Sequence, residues 1–182
     1  MNWIIPGTTL EGLRENADRT DGLFASMFLA GGLTLSQVSA VTGLESHTIQ
    51  NWVKRGFLPS PRGKRYDMEQ VCRIINMNLL KGTLPLEQIC SLMTYLNGCL
   101  SDESDDLVDD TMLYFMFVKL AARARYIGGS KDWDEALLEI TEDYVEPVPG
   151  AREKLIRVLK IMLTVWVANT LRNAAENMIK EL

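Results

Sequence analysis

Histidine occurs once in this chain, as His47, and cysteine three times, at Cys72, Cys90 and Cys99. A single imidazole removes most relays in which a base activates a neighbouring nucleophile. Thiols 18 and 9 residues apart suit neither a disulfide framework nor a paired zinc motif, and a reducing cytoplasm is the simpler setting. There is no glycine-rich phosphate loop and no Gly-x-Ser-x-Gly elbow, so catalytic residues, cofactor and metal are all expected to be none. Long apolar runs are missing too. The longest, 161–168, is interrupted by Thr164 and falls far short of the roughly 20 residues that a bilayer requires. Residues 1–13 carry Pro6, Gly7, Glu11 and Gly12 where an export signal would place a basic and then an apolar stretch. Alternation of period two is too short for a sheet of any size, and leaves room only for a small hairpin near residue 60.

What is present is an apolar fraction of 47% in 182 residues, enough to bury a core in one large domain or two small ones. The net charge of −5 argues against wholesale coating of nucleic acid or anionic membrane, but its distribution is uneven. Residues 33–81 hold seven bases (Lys54, Arg55, Arg62, Lys64, Arg65, Arg73, Lys81) against three acids (Glu45, Asp67, Glu69), a net +4. The flanks carry −2 before this island and −7 after it. Any anion-binding surface is therefore local.

Helical periodicity dominates. Leu23, Phe24, Met27, Phe28 and Leu29 predict a leading helix over 20–30, ended by Gly31-Gly32. Within the island, Leu35, Val38 and Val41 recur at intervals of three, Gly43 supplies a turn, and Ile49, Trp52 and Val53 form the buried face of a second helix starting near Ser46. On its other face His47, Gln50, Asn51 and Lys54 stand at offsets 0, 3, 4 and 7 and point outward together. Amides can bond adenine at two points, and a helix fits a major groove. Gly56-Phe57-Leu58-Pro59 and then Ser60-Pro61-Arg62-Gly63-Lys64-Arg65-Tyr66 describe a tight excursion whose cations suit phosphates. A helix over 68–80 presents Val71, Ile74, Ile75 and Leu79 inward, and another from Pro85 to Asn97 closes this part of the chain.

These parts, in this order, resemble the winged helix-turn-helix head of the MerR transcriptional regulators over roughly residues 33–97. Thr42-Gly43-Leu44 is similar to that family's turn, Thr48 to its helix-start threonine, Trp52 to its recognition-helix aromatic, Gly56-Phe57-Leu58-Pro59 to its turn into the wing, and Arg65-Tyr66 to its wing exit. The wording resembles more closely still a bacterial family of uncharacterised proteins that join such a head to a helical tail. Two features depart from the MerR pattern: Gln50-Asn51-Trp52 replaces the paired basic and aromatic residues, and the wing is short. The implied fold class is mainly all-α, a MerR-like winged helix-turn-helix head with a small β wing followed by an all-α helical tail. Residues 1–32 would be a leading helix, 33–98 the DNA-binding domain, and 99–182 a dimerisation or effector tail.

The expected function is then a cytoplasmic, non-enzymatic regulator that binds double-stranded DNA as a homodimer. His47, Thr48, Gln50 and Asn51 would read bases, Lys54, Arg55, Arg62, Lys64 and Arg65 would complete the contact, and Tyr66, like Trp52 mainly a core residue, would lend only its polar edge to a phosphate. A small-molecule effector is admitted and not named, and a membrane partner is not expected. The alternative is a protein-interaction adaptor on the same scaffold without DNA binding. In the tail, six acids between Ser101 and Asp110 place Asp102, Asp105, Asp106, Asp109 and Asp110 on one helix face, where the helix dipole explains them better than a metal does. Helices are expected over 112–121 up to Gly128-Gly129, over 133–144, and over 151–182. In the last of these Val158, Ile161, Val165, Ala168, Leu171, Ala175, Met178 and Leu182 approach a coiled-coil seam.

Overall fold

Two reciprocal caps organise the N-terminal half. The Thr34 N–H donates to Gln37 Oε1 at 2.9 Å while the Gln37 N–H returns to Thr34 Oγ1. Asp67 and Gln70 repeat the exchange, with the Gln70 N–H on Asp67 Oδ1 at 2.9 Å and the Asp67 N–H on Gln70 Oε1 at 3.1 Å. Each pair satisfies backbone donors that a helix start leaves open. In the computed structural model, which describes residues 2–98, 106–124 and 130–182, these caps open α2 (Leu35–Thr42) and α4 (Met68–Leu80). Both caps directly follow a two-stranded antiparallel sheet, β3 (Leu33–Thr34) with β4 (Arg65–Tyr66), in the register Leu33↔Tyr66 and Thr34↔Arg65.

Ahead of this unit come β1 (Asn2–Ile4), β2 (Glu11–Leu13), a 3-10 helix over Arg14–Arg19 and α1 (Thr20–Met27). Between α2 and α4 lies α3 (Ser46–Lys54). Then follow α5 (Leu86–Asn97), α6 (Asp110–Arg123), α7 (Ser130–Ile140) and α8 (Ala151–Lys180). The chain is thus mainly helical, with two small antiparallel sheets among the described residues.

Helix α4 is the central strut. Val71, Cys72, Ile74, Ile75, Met77, Leu79 and Leu80 are all buried, against α6 on one side and α2 and α8 on others. Side chains of this kind each contribute about 1.5–3 kcal/mol on burial. The apolar core runs without a break from Ile5 through α4 and α6 to Val165 on α8. Aromatic contacts fasten its edges: Phe24 of α1 meets Tyr114 and Phe115 of α6 with ring centroids 5.4 Å apart, and Phe117 meets Trp166 of α8 edge-on at 6.0 Å.

Several expectations need correction. The N-terminal segment is a β-hairpin before it is a helix, since Trp3 pairs with Gly12 and Ile4 with Glu11. Its strands are three residues long, too short to show a period of two. Helix α1 stops at Met27, and of its expected apolar face only Phe24 is fully buried, while Leu29 is 87% exposed beyond the helix end. The excursion near residue 60 is not a separate two-stranded hairpin: apart from one bridge, Arg62↔Arg65, its strand β4 pairs back with β3. The seam on α8 divides, with Val158 and Val165 in the core while every residue from Leu171 onward is exposed. Cys99, Asp102, Asp105, Gly128 and Gly129 lie outside the described residues.

The N-terminal hairpin is bound into this arrangement by polar contacts. Thr9 donates from its N–H to Val41 O at 2.8 Å and from its hydroxyl to Ala40 O at 2.6 Å, satisfying carbonyls at the end of α2. Asn78 Nδ2 bridges Gly7 O and Thr42 O, and the Tyr114 hydroxyl donates to Pro6 O at 3.0 Å. At the same C-terminal end of α4, Asn169 Nδ2 of α8 donates to Leu79 O at 3.0 Å and the Arg172 guanidinium to Gly82 O. One helix thereby caps the carbonyl end of another. Among the described residues no helix is long and apolar enough to cross a membrane.

Candidate nucleic-acid interface

Helix α3 is oriented by its junction with α2. Gly43 closes α2 in the left-handed conformation, φ 69°, its N–H on Ser39 O at 2.8 Å, and the Ser39 and Ser46 hydroxyls hydrogen-bond across the turn at 2.9 Å. Ile49 at 0% exposure and Trp52 at 6% then anchor the inner face of α3. His47, Gln50, Asn51 and Lys54 are exposed, Thr48 is half-buried, and none of the first four has a side-chain hydrogen bond or ion pair among the described residues.

After α3 the chain reverses through a turn that α4 holds from below. Arg73 Nε donates to Phe57 O at 3.2 Å and Gln70 Nε2 to Ser60 O at 3.1 Å. The tip is Arg62-Gly63-Lys64-Arg65, closed by the Arg65 N–H on Arg62 O at 3.0 Å, with φ 56° at Gly63 and 64° at Lys64. Positive φ at both central residues is the two-residue hairpin geometry that matches strand twist. Glycine accepts it freely, whereas a lysine there is strained by about 1–2 kcal/mol. The fold thus holds a lysine out on the tightest point of the loop.

Between this tip and α3 lies a cleft of about 440 Å³ lined by Leu35, Gln50, Val53, Lys54, Pro61, Lys64 and Tyr66. Its floor is apolar, and Lys54 and Lys64 flank it from the helix and the turn. The two lysines have no acid partner among the described residues. The arrangement offers outward amides on a helix, with unpaired cations from two elements beside them.

The remaining predicted residues divide differently. Arg55 turns toward α5, 3.6 Å from Glu87 and stacked over Phe57 at 4.7 Å. Arg62 lines a separate polar cavity with Asp67, Glu69, Arg73, Asp106 and Asp110. Arg65 donates to Gly32 O at 2.8 Å, although it remains exposed. Tyr66 is 3% exposed and belongs to the core, with an edge on the cleft. Strand alternation is the reason: Tyr66 pairs with buried Leu33 and faces the core, leaving Arg65 to face outward. Burial pushes the Tyr66 phenol above its ordinary range.

A largely buried charge pair holds the turn after α3 from behind. Arg73 and Asp110 pair at 2.9 Å with side chains only 14% and 5% exposed, and Asn76 Nδ2 donates to Asp110 O at 3.1 Å. Burial raises the Asp110 carboxyl above the usual carboxylate range, and the Arg73 guanidinium opposes that rise. Asp109 caps α6 through the Met112 N–H at 2.7 Å. Sequence reading missed the parts of Gln70 and Arg73. The Asp67-x-x-Gln70 spacing was a readable cap signal, but nothing local announces a pair 37 residues apart.

Two other chemistries were tested by the same geometry. Among the described residues no group of three or more His, Cys, Asp or Glu side chains could hold a metal ion. Cys72 and Cys90 are free thiols, both raised in pKa by burial, Cys72 strongly so. A raised thiol is a poor nucleophile.

A family described as a domain of unknown function (DUF1836) matches residues 31–117. The chain is also similar to the uncharacterized protein YkrK of Bacillus subtilis (strain 168), 32% identical over 84 residues, which is 44% of this chain and 36% of that protein. The matched stretch thus spans about a third of the length of that curated relative. No solved structure matches. These findings overturn the kinship expected from the motifs: the matching family is DUF1836 and not the MerR regulators. The match runs through α3, the Lys64 turn and α4 and ends inside α6, so it includes both Arg73 and Asp110.

Proposed function

We propose that residues 33–66 act as a winged helix-turn-helix that binds double-stranded DNA with sequence preference, and that the chain is a transcriptional regulator of the cytoplasm. The observation that carries this reading is the convergence of Gln50 and Lys54 of α3 with Lys64 of the turn around one cleft. Amides beside unpaired cations suit base edges next to phosphates. Asn51 and His47 extend the reading face, and Arg65 follows Lys64 at the start of β4. The exposed end of α8 supports action as a homodimer. Ala168, Leu171, Ala175 and Met178 repeat at heptad spacing there, with Leu171 and Met178 exposed by 63% and 68%.

The test is a polarisation titration with native upstream DNA at two salt concentrations. The parent protein is expected to bind with a clear sequence preference. Lys64→Ala with Arg65→Ala should weaken binding to every sequence and flatten the logarithmic salt slope by about 2. An unchanged slope overturns the phosphate assignment. No binding at either salt level would leave the scaffold as a protein-interaction adaptor.

A further inference from the structure

A second cleft lies away from the cationic face. It is a cleft of about 910 Å³ bounded by the start of α6, the α7–α8 connector and the edge of α1, a volume within the range of sites that enclose a small organic ligand. Its walls are soft and apolar: Met112, Phe115 and Met116 from α6 face Ile140 and Val145. Met112 is 43% exposed and Val145 86%, and unbranched methionines adapt to ligands of varied shape.

The rim has one dominant sign. Asp21, Glu69, Asp106, Asp109 and Asp143 line the cleft, and Lys119 is the one base among its described lining residues. Asp21, Asp109, Asp143 and Lys119 take part in no ion pair among the described residues. The acids do not converge closely enough to hold a metal ion. A compact divalent ion is therefore a poor match, and so is any anion. What fits is a bulky apolar molecule carrying a diffuse positive charge, buried against methionine and phenylalanine while the carboxylates act from the edge.

We infer that the cleft between α6 and the α7–α8 connector binds a lipophilic organic cation. The inference is independent of DNA binding and stands or falls without it. Tetraphenylphosphonium and tetraphenylborate are nearly isosteric ions of opposite charge, so titrating each into the full chain by calorimetry isolates the sign of the site. The phosphonium is expected to bind in the micromolar range and at least tenfold more tightly than the borate. Asp109→Asn with Asp143→Asn keeps an N-cap on α6 and should cost the phosphonium at least fivefold in affinity with an unchanged melting temperature. Lys119→Gln should tighten it severalfold, a gain that misfolding cannot mimic. Equal affinity for the two ions, or an affinity indifferent to Lys119→Gln, overturns the proposal.

Discussion

Lys64 and Arg73 lie nine positions apart and carry the same charge, yet the fold treats them in opposite ways. Arg73 is withdrawn from water, paired with Asp110 at 2.9 Å and bonded to Phe57 O, so its donors are spent on fastening α4 to α6 and to the turn after α3. Lys64 is held in a left-handed backbone at the tip of a turn, with no acid partner among the described residues. The first arrangement ties distant segments together at a heavy desolvation cost. The second leaves a charge available to something outside the molecule. Where a fold satisfies its cations it specifies structure, and where it leaves them unmet beside outward amides it presents a contact surface.

The comparison is broken most severely at the buried end. Removing one partner of a buried pair typically costs about 3–5 kcal/mol, and Arg73→Met should do so at neutral pH. The sign follows from the raised Asp110 carboxyl. A carboxyl whose folded pKa lies above its unfolded value of about 4 contributes stability that is present below that value and lost as the pH rises through the folded one. Without Arg73 the folded value moves higher still. Denaturant titrations should therefore show a small penalty for Arg73→Met near pH 4 that grows toward pH 7. A penalty independent of pH would mean that Asp110 is not the group left exposed to the change.

At the exposed end the expected effects are smaller and fall on binding. Gln50→Ala should leave the melting temperature unaltered and relax discrimination at one base position by about 1–3 kcal/mol, measured by polarisation with each base pair of the site replaced in turn. The finest probe is Lys64→Gly. It relieves the left-handed strain, offset in part by the freer unfolded chain, and should raise stability by about 0.5–1 kcal/mol while weakening DNA binding as much as Lys64→Ala does. Stability and affinity moving in opposite directions at one residue would separate a presented charge from a structural one.

Much of the exposed end was readable from the chain alone, and little of the buried end was. The offsets of His47, Gln50, Asn51 and Lys54 place them on one face because helical geometry is local, and α3 begins at Ser46 where the apolar spacing predicts it. The inward direction of Tyr66 is fixed by pairing with Leu33, 33 residues away, and not by its neighbours in sequence. Arg55 reads as a free cation until Glu87 of α5 is brought beside it, and Arg62 shares a polar cavity with Asp67 and Asp110 that the sequence does not announce. The Arg73–Asp110 pair has no sequence signature at all, because each partner alone resembles an ordinary surface charge. The match to DUF1836 in place of the MerR regulators has a related reason: turn, helix and hairpin motifs report local geometry, and local geometry recurs across families.

The hydroxyl of Tyr114 on Pro6 O joins positions 108 apart. During synthesis the opening hairpin leaves the ribosome long before α6 exists to receive it, and so does the end of α2 that the hairpin covers. Contacts of such sequence separation form slowly because much loop entropy must be lost first. The N-terminal half of the chain can therefore acquire its helices early, but it settles into its final packing only after translation has passed the residues that close over it.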